Sequence, residues 1–157
     1  MEYDVRKEAR VWQRVQQERQ ERVPQQQFDR LPALIMEQLQ LSAAYLQLAR
    51  HLSGQDGAVF MRLAREAKTQ ATCLKGILNL TTGQASETGG AITPFSTVDA
   101  VLRRCYGTEL RLAKEYEGLC ADPEYGPVFH RMTQRGQEHC CSILEMIGKT
   151  GKQSNRL

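Results

Sequence analysis

Four helix-length stretches of this chain place their apolar residues at alternating steps of three and four, which is the spacing of one helix face. Near its middle, each stripe carries one polar or charged residue: Gln38, Gln70, Glu109 and His139. The other members of the stripes are Leu34, Leu41, Tyr45 and Leu48; Phe60, Leu63, Ala67, Leu74 and Ile77; Leu102, Tyr106, Ala113 and Tyr116; and Phe129, Met132, Gly136, Ile143 and Met146. The pattern predicts a four-helix bundle with a polar layer in its core.

The four polar residues are predicted to lie at one height in this bundle. Gln38 and Gln70 are each about sixteen residues from the middle of the turn between the first two helices, and Glu109 and His139 flank a point near residue 124 in the same way. The two hairpins also repeat each other, because Gln38 precedes Glu109 by 71 residues and Gln70 precedes His139 by 69. Such spacing is typical of an internal duplication.

The loops between the stripes constrain the topology. The helices of the bundle are predicted over residues 31–52, 58–80, 96–120 and 123–147. The two short turns make each consecutive pair of helices an antiparallel hairpin. The loop over residues 81–95 can reach ~50 Å when extended, whereas a helix of about 22 residues is ~33 Å long. We therefore expect two antiparallel hairpins joined by one long crossover loop.

Capping signals support two of these helix starts. Ser96, with Asp99 three residues later, resembles a capping box in which Asp replaces the usual Glu. Asp122 with Pro123 has the residue types of a cap and a first helical turn. An alternative is that the last helix restarts at Pro127 after a kink.

The chain is predicted to contain one bundle with two polar extensions. Residues 1–27 are expected to form an extra N-terminal helix and a linker, with Val5 and Trp12 in a thin apolar stripe. The bundle covers residues 28–148, and the polar residues 149–157 are expected to form a disordered tail.

Composition limits the classes of partner. The net charge is +3 and basic residues alternate with acidic ones, so binding of nucleic acid is not expected. No apolar run approaches the ~20 residues that span a bilayer, and the first residues lack the apolar core of a signal peptide. We therefore expect no membrane partner and a cytoplasmic location. The five cysteines include no C-x-x-C pair, which favours reduced thiols over a disulfide framework.

Glu109 and His139 are the candidate site residues of the polar layer. A buried Glu is costly unless it is protonated, hydrogen-bonded or bound to a cation. One interpretation is an acid–imidazole pair closed by hydrogen bonds from Gln38 and Gln70. The other is a metal ion held by Glu109 and His139 together with water or a further acid, although stable sites usually have at least three protein ligands.

Two segments of the first hairpin carry a family resemblance. They are LQLSAAYLQLA at residues 39–49 and LAREAKTQATCLKGI at residues 63–77, and the second hairpin repeats the scheme with Glu109, Tyr116 and His139. Over about residues 30–148 the chain resembles the rubrerythrin-like branch of the ferritin-like superfamily. The resemblance implies a ferritin-like bundle, whose usual members hold two irons with a Glu on each of two helices and Glu-x-x-His on each of the other two.

The ligand positions implied by this resemblance are only partly filled. They fall on Gln38, Ala67, Gln70, Glu109, Gly136 and His139. Only Glu109 and His139 match the family ligands. Glu37 and Glu66 are adjacent to mismatched positions and are candidate helpers, but a helix turns by about 100° per residue, which directs them away from the stripe. The rubredoxin-type cysteine module of full rubrerythrins is also missing.

These observations predict a degenerate rubrerythrin-like protein that lacks di-iron catalysis and acts as a structural or interaction module without a cofactor. The alternative is a metal-binding oxidoreductase that uses iron, manganese or zinc at Glu109 and His139. The predicted partners are a second copy of the chain, because dimerisation across the bundle is common in the family, and an unidentified protein bound through the N-terminal helix.

Overall fold

The computed structural model describes residues 9–15, 28–86 and 92–155. Residues 9–15 form the helix α1. The other helices are α2 (Leu31–His51), α3 (Gly54–Thr82), α4 (Val98–Leu119) and α5 (Gly126–Ser154). Within these three ranges no residue belongs to a strand, which confirms the prediction of an all-α fold. No helix of the described ranges has both the length and the apolar character needed to cross a membrane.

The chain divides after Arg30 into two units, residues 1–30 and residues 31–157. The first unit contains α1, in which Trp12 is 65% exposed. Val5, the other residue named for the predicted N-terminal stripe, lies outside the described residues. Helices α2 to α5 all belong to the second unit, which also contains every predicted site residue.

Hydrogen bonds and ion pairs between the helices of the second unit give their directions. In three of the four neighbouring pairs, two contacts show that residue numbers rise along one helix as they fall along the other, and the fourth pair has one contact. The contacts are Gln38–Gln70 and Ser42–Ala64 between α2 and α3, Gln38–Tyr116 and Tyr45–Glu109 between α2 and α4, Glu66–His139 and Asp56–Lys149 between α3 and α5, and Glu109–His139 between α4 and α5. Because α4 and α5 are also joined by a short turn, all four neighbouring pairs are antiparallel.

These directions place α3 and α4 parallel to each other, although they are consecutive in the chain. The connection between Thr82 and Val98 must therefore return along the length of the bundle. At the far end of this connection the Phe95 ring stacks on His51 of α2, with the ring centroids 3.8 Å apart. That contact holds the start of α4 beside the end of α2.

The core consists of the predicted stripes with one change. Large side chains such as Leu34, Phe60 and Phe129 are fully buried, and burial of each such side chain contributes roughly 1.5–3 kcal/mol. On α4 the stripe passes through Cys105, which is 1% exposed, whereas Tyr106 is only half-buried. The prediction for Tyr106 was wrong because Cys105 continues the three-and-four spacing and Tyr106 lies about 100° further round the helix.

Two helix starts differ from the prediction. Helix α3 begins at Gly54, four residues before the predicted start, and Gly54 has a φ of 61°, which suits glycine at a reversal of chain direction. The side chain that caps α4 is that of Thr97, not Ser96. Its Oγ1 accepts a hydrogen bond of 3.2 Å from the Ala100 amide, and Asp99 pairs with Arg103 instead of closing a capping box.

Both ends of α5 also differ from the first prediction. The helix starts at Gly126 with Pro127 in its first turn, as the alternative stated, while the Asp122 carboxylate accepts hydrogen bonds from the amides of Glu124 and Tyr125 in the preceding turn. At the other end, α5 continues to Ser154, so residues 149–154 are helical and not a disordered tail. The Lys149–Asp56 ion pair of 3.0 Å and the Thr150–Ile147 hydrogen bond hold this extension.

The turn between α2 and α3 requires glycine at residue 57. A Cβ atom there would lie 2.8 Å from the Leu52 carbonyl oxygen and 3.2 Å from that of Ala49. We expect Gly57→Ala to lower the free energy of unfolding by about 1–3 kcal/mol, because the backbone has to shift. Urea denaturation measures the change.

Gly76→Ala in the same helix is the matched control. Nothing lies within 4 Å of a Cβ atom at residue 76, so this change should raise stability by up to about 1 kcal/mol through helix propensity. Equal effects of the two substitutions would show that the turn is not tightly packed.

Candidate functional site

The four residues of the predicted polar layer are all buried, and each comes from a different helix. Gln38, Glu109 and His139 are 1% exposed, and Gln70 is 8% exposed. Buried apolar residues, together with Gly136, occupy the neighbouring positions of each stripe, so the layer has apolar core above and below it. Its polar groups therefore depend on one another for hydrogen bonds.

The Glu109 carboxylate is the centre of one half of the layer. Its Oε1 atom accepts a hydrogen bond of 2.5 Å from the Tyr45 hydroxyl and lies 2.7 Å from His139 Nδ1. Tyr45 is fully buried, and its ring also packs edge-on against the His139 ring. The structure thus brings Glu109 and His139 together and adds Tyr45 as a second donor to the same oxygen.

Glu66 is the group that contacts the other side of the His139 ring. The Nε2 atom of His139 lies 2.7 Å from Glu66 Oε2, and Glu66 Oε1 is 2.9 Å from Arg135 and 3.6 Å from Arg62. A continuous series of polar contacts therefore runs from Tyr45 in the core to the arginines at the surface. We call Glu109, His139, Glu66 and Arg135 the charged chain.

The surroundings of the His139 ring favour its doubly protonated form. Both of its nitrogens contact carboxylate oxygens at 2.7 Å, and a neutral imidazole has only one N–H to donate. Burial alone would lower the pKa of His139, but the hydrogen bonds and negative charges of Glu109 and Glu66 outweigh it and raise that pKa above its ordinary value of 6.5.

Glu66 shows the complementary shift. Partial burial by itself would raise the pKa of the Glu66 carboxyl, yet the hydrogen bond from His139 and the positive charges of His139, Arg135 and Arg62 lower it below its ordinary value of 4.5. Two carboxylates and two cations then alternate along the charged chain. The buried charge is compensated at each step, which is the condition under which ionised groups persist in a protein interior.

Gln38 and Gln70 do not close the acid–imidazole pair, contrary to the first interpretation. Gln38 Nε2 instead donates hydrogen bonds to Gln70 Oε1 at 2.7 Å and to the Tyr116 hydroxyl at 2.8 Å. The Oε1 atom of Gln38 is buried and has no hydrogen-bond partner. The two glutamines and Tyr116 therefore form a second and separate half of the layer.

The two tyrosines of the layer remain protonated donors or acceptors. Burial, followed by the negative charge of Glu109, raises the pKa of Tyr45 well above its ordinary value of 10. Burial also raises the pKa of Tyr116, although the hydrogen bond from Gln38 opposes this effect. Each ring is buried and each hydroxyl is hydrogen-bonded, as expected for core tyrosines.

The contacts of the two halves are equivalent under the repeat seen in the sequence. Tyr45 contacts Glu109. The residue 71 positions after Tyr45 is Tyr116, the residue 71 positions before Glu109 is Gln38, and these two residues also contact each other. The hairpin pairs Gln38–Gln70 and Glu109–His139 correspond in the same way. The sequence spacing is thus matched by related contacts in three dimensions, which supports a duplicated hairpin.

Glu37, the other candidate helper, does not belong to the layer. Its carboxylate makes two contacts, of 2.7 and 2.9 Å, with Arg111 on α4, outside the core. The sequence did not predict the contacts of Arg62 and Arg135 with Glu66. It also did not predict that Tyr116 accepts a hydrogen bond from Gln38. The spacing of the repeat was the available signal for Arg135, because it lies 69 residues after Glu66.

The layer does not fit a two-iron centre. Within the described part of the chain, no group of three or more His, Cys, Asp and Glu side chains is arranged to hold a metal ion. Ala67 and Gly136 occupy two of the ligand positions implied by the family resemblance, and both lack a donor atom. One carboxylate in the layer, that of Glu109, cannot bridge two irons and balance their charge.

The chain matches no protein-family model, no curated protein and no solved structure. The resemblance to rubrerythrin-like proteins therefore depends on the residues of this sequence alone.

The charged chain predicts a pH dependence of stability. Since the pKa of His139 is raised on folding, its contribution is complete below pH 6.5 and is lost as the pH rises through the folded-state pKa. Since the pKa of Glu66 is lowered, its contribution is complete above pH 4.5 and is lost as the pH falls through its folded-state value. Both contributions are therefore present between pH 4.5 and 6.5.

We expect the free energy of unfolding to fall between pH 6.5 and 8, by at most about 1.4 kcal/mol per pH unit for one proton. The double variant Glu109→Gln with His139→Gln copies the amide pair of the other half and should abolish this slope. His130→Gln removes an exposed imidazole from the same helix and should keep it. A slope that survives in the double variant would contradict the assignment; urea denaturation at each pH measures it.

Proposed function

We propose that this protein is a ferritin-like bundle of the rubrerythrin-like type in which the di-iron centre has been replaced by hydrogen bonds, and that it serves as a structural or interaction module. The observation that carries the proposal is the polar layer itself. At the height where the family resemblance expects metal ligands, the side chains contact one another: His139 uses both ring nitrogens, and Gln38 uses its amide nitrogen twice.

The arrangement of the helices supports the ferritin-like part of the proposal. All four neighbouring helix pairs are antiparallel, and α3 and α4 run in the same direction, so the chain crosses the bundle once between two hairpins. Bundles with one long crossover connection include the ferritin-like folds. The six positions implied by the resemblance also lie in the buried interior, on four different helices.

The proposed structural role follows from the specificity of polar contacts. An apolar layer would stabilise the bundle equally well, but it would also tolerate displacement of one helix along another. A displaced helix in this protein would leave the Glu109 carboxylate buried without His139 and Tyr45, which costs several kcal/mol. The layer therefore specifies how the two hairpins align.

An interaction module needs at least one partner, and two kinds of partner are proposed. One is an assembly of two bundles, which sedimentation at several protein concentrations tests; a strictly monomeric chain would exclude it. The other is a protein bound through α1, where the exposed Trp12 is the type of side chain that dominates binding energies at interfaces.

Metal content tests the loss of the di-iron centre. We expect no stoichiometric metal in protein expressed with added iron, manganese and zinc and purified without chelator or an affinity metal. Elemental analysis makes the measurement. Near-stoichiometric metal that Glu109→Ala abolishes would instead support the alternative, a metal-binding oxidoreductase that uses the adjacent Glu109 carboxylate and His139 Nδ1.

A rebuilt variant tests the correspondence with the family. It carries Gln38→Glu, Ala67→Glu, Gln70→His and Gly136→Glu, which with Glu109 and His139 restore all six ligand types. A Cβ atom at residue 136 would meet Glu109 Oε2 and Ala113 Cβ at 3.5 Å, an ordinary contact distance, so the backbone accepts a side chain there.

The rebuilt variant should bind about two metal ions per chain, the number held by the family site. The matched control is the same variant with Glu109→Ala, which should lose this stoichiometry. A rebuilt protein that keeps its helix content by circular dichroism but binds no metal would contradict the assignment of the ligand positions, whatever the wild-type protein binds.

A further inference from the structure

A cleft of about 410 Å³ opens between α3 and α5 beside the polar layer. Thr69 and Gln70 of α3 line one wall, and Arg131, Met132 and Arg135 of α5 line the other. The volume lies in the range of pockets for small molecules, which are typically about 300–1,000 Å³. All of these residues belong to the bundle unit.

Two hydrogen-bond donors of the cleft have no partner among the described residues. Gln70 is 92% buried and its Oε1 atom accepts from Gln38, but its Nε2 atom makes no hydrogen bond. That nitrogen is not among the atoms sealed from solvent, and Gln70 lines the cleft. Arg131 likewise forms no ion pair, and its guanidinium has five N–H donors.

The repeat explains why this side of the layer is open. Gln70 corresponds to His139, and Arg135 corresponds to Glu66, each at a separation of 69 residues. His139 is a donor that contacts an acceptor, the Glu66 carboxylate, and this contact closes one side of the layer. On the other side, Gln70 Nε2 and the Arg135 guanidinium are both donors, so they cannot bond to each other. An anionic oxygen between them would supply the missing acceptor.

The charge of the cleft agrees with such a ligand. Its lining contains two arginines and one acid, Glu66, which gives a local charge of +1. Both Glu66 oxygens are already used, one by His139 and one by Arg135, so this carboxylate does not neutralise Arg131. Val128 and Met132 add an apolar wall next to these donors.

We propose that the cleft binds a small organic carboxylate. The carboxylate group is held by the Gln70 amide and the Arg131 guanidinium, with Arg135 contributing its positive charge, and the apolar body of the ligand packs on Val128 and Met132. This is a binding activity separate from the metal chemistry discussed above, and it holds whether or not the layer ever contains a metal.

The test uses benzoate as the probe and follows backbone amide shifts of the full chain by NMR. We expect saturable shifts concentrated in residues 66–73 and 128–135. Benzamide, which has the same body without the charge, and inorganic phosphate, which has charge without the body, should each bind at least tenfold more weakly, since charge-assisted hydrogen bonds and apolar burial both contribute.

Arg131→Gln is the informative variant because this side chain is exposed and its loss leaves the core unchanged. It should weaken benzoate binding at least tenfold, whereas Arg65→Gln, which removes an equal charge from an exposed site on α3 outside the cleft, should leave it unchanged. The proposal is overturned by unsaturable or scattered shifts, by equal affinity for benzamide or phosphate, or by an Arg131→Gln protein that binds as the wild type does.

Discussion

The buried carboxylate of Glu109 is the constraint on which the rest of the bundle depends. An ionised carboxylate in an apolar core is tolerated only if other groups supply donors and positive charge. Here Tyr45 of α2 and His139 of α5 meet at the same oxygen, so three helices must be held at one height. His139 in turn requires Glu66, which fixes α3 as well. One side chain from each of the four helices thus takes part in compensating this charge.

The same requirement distinguishes the two halves of a duplicated arrangement. Both halves pair a tyrosine with the opposite hairpin, through Tyr45–Glu109 and Tyr116–Gln38. They differ where α3 meets α5. On one side the His139 imidazole contacts the Glu66 carboxylate. The related positions in the other half hold the Gln70 amide and the Arg135 guanidinium. The first pair forms a contact, whereas the second pair consists of two donors, and the cleft lies beside them.

Helical periodicity was sufficient to predict the core and the height of the layer, because both depend on spacing along single helices. It was insufficient for contacts that depend on the reach of long side chains between helices. Glu66 lies about 100° round the helix from the stripe, yet its flexible side chain reaches His139 from the edge of the core. Glu37 lies at the same angle from the stripe of α2, but it forms an ion pair with Arg111 at the surface. Which of the two acids joined the layer was decided by neighbours on other helices.

The proposed replacement of a metal layer by hydrogen bonds depends on the number of buried carboxylates. A metal site concentrates several carboxylates whose mutual repulsion only the cation relieves. Changing single ligands would leave the remaining acids buried and uncompensated, whereas reducing the acids in the layer to Glu109 makes one imidazolium sufficient. The Gln38–Gln70 pair needs no charge at all, because amides supply both donors and acceptors. In a layer with one acid, one imidazolium and two amides, each charge has a partner without a cation, and a displaced helix would separate Glu109 from His139.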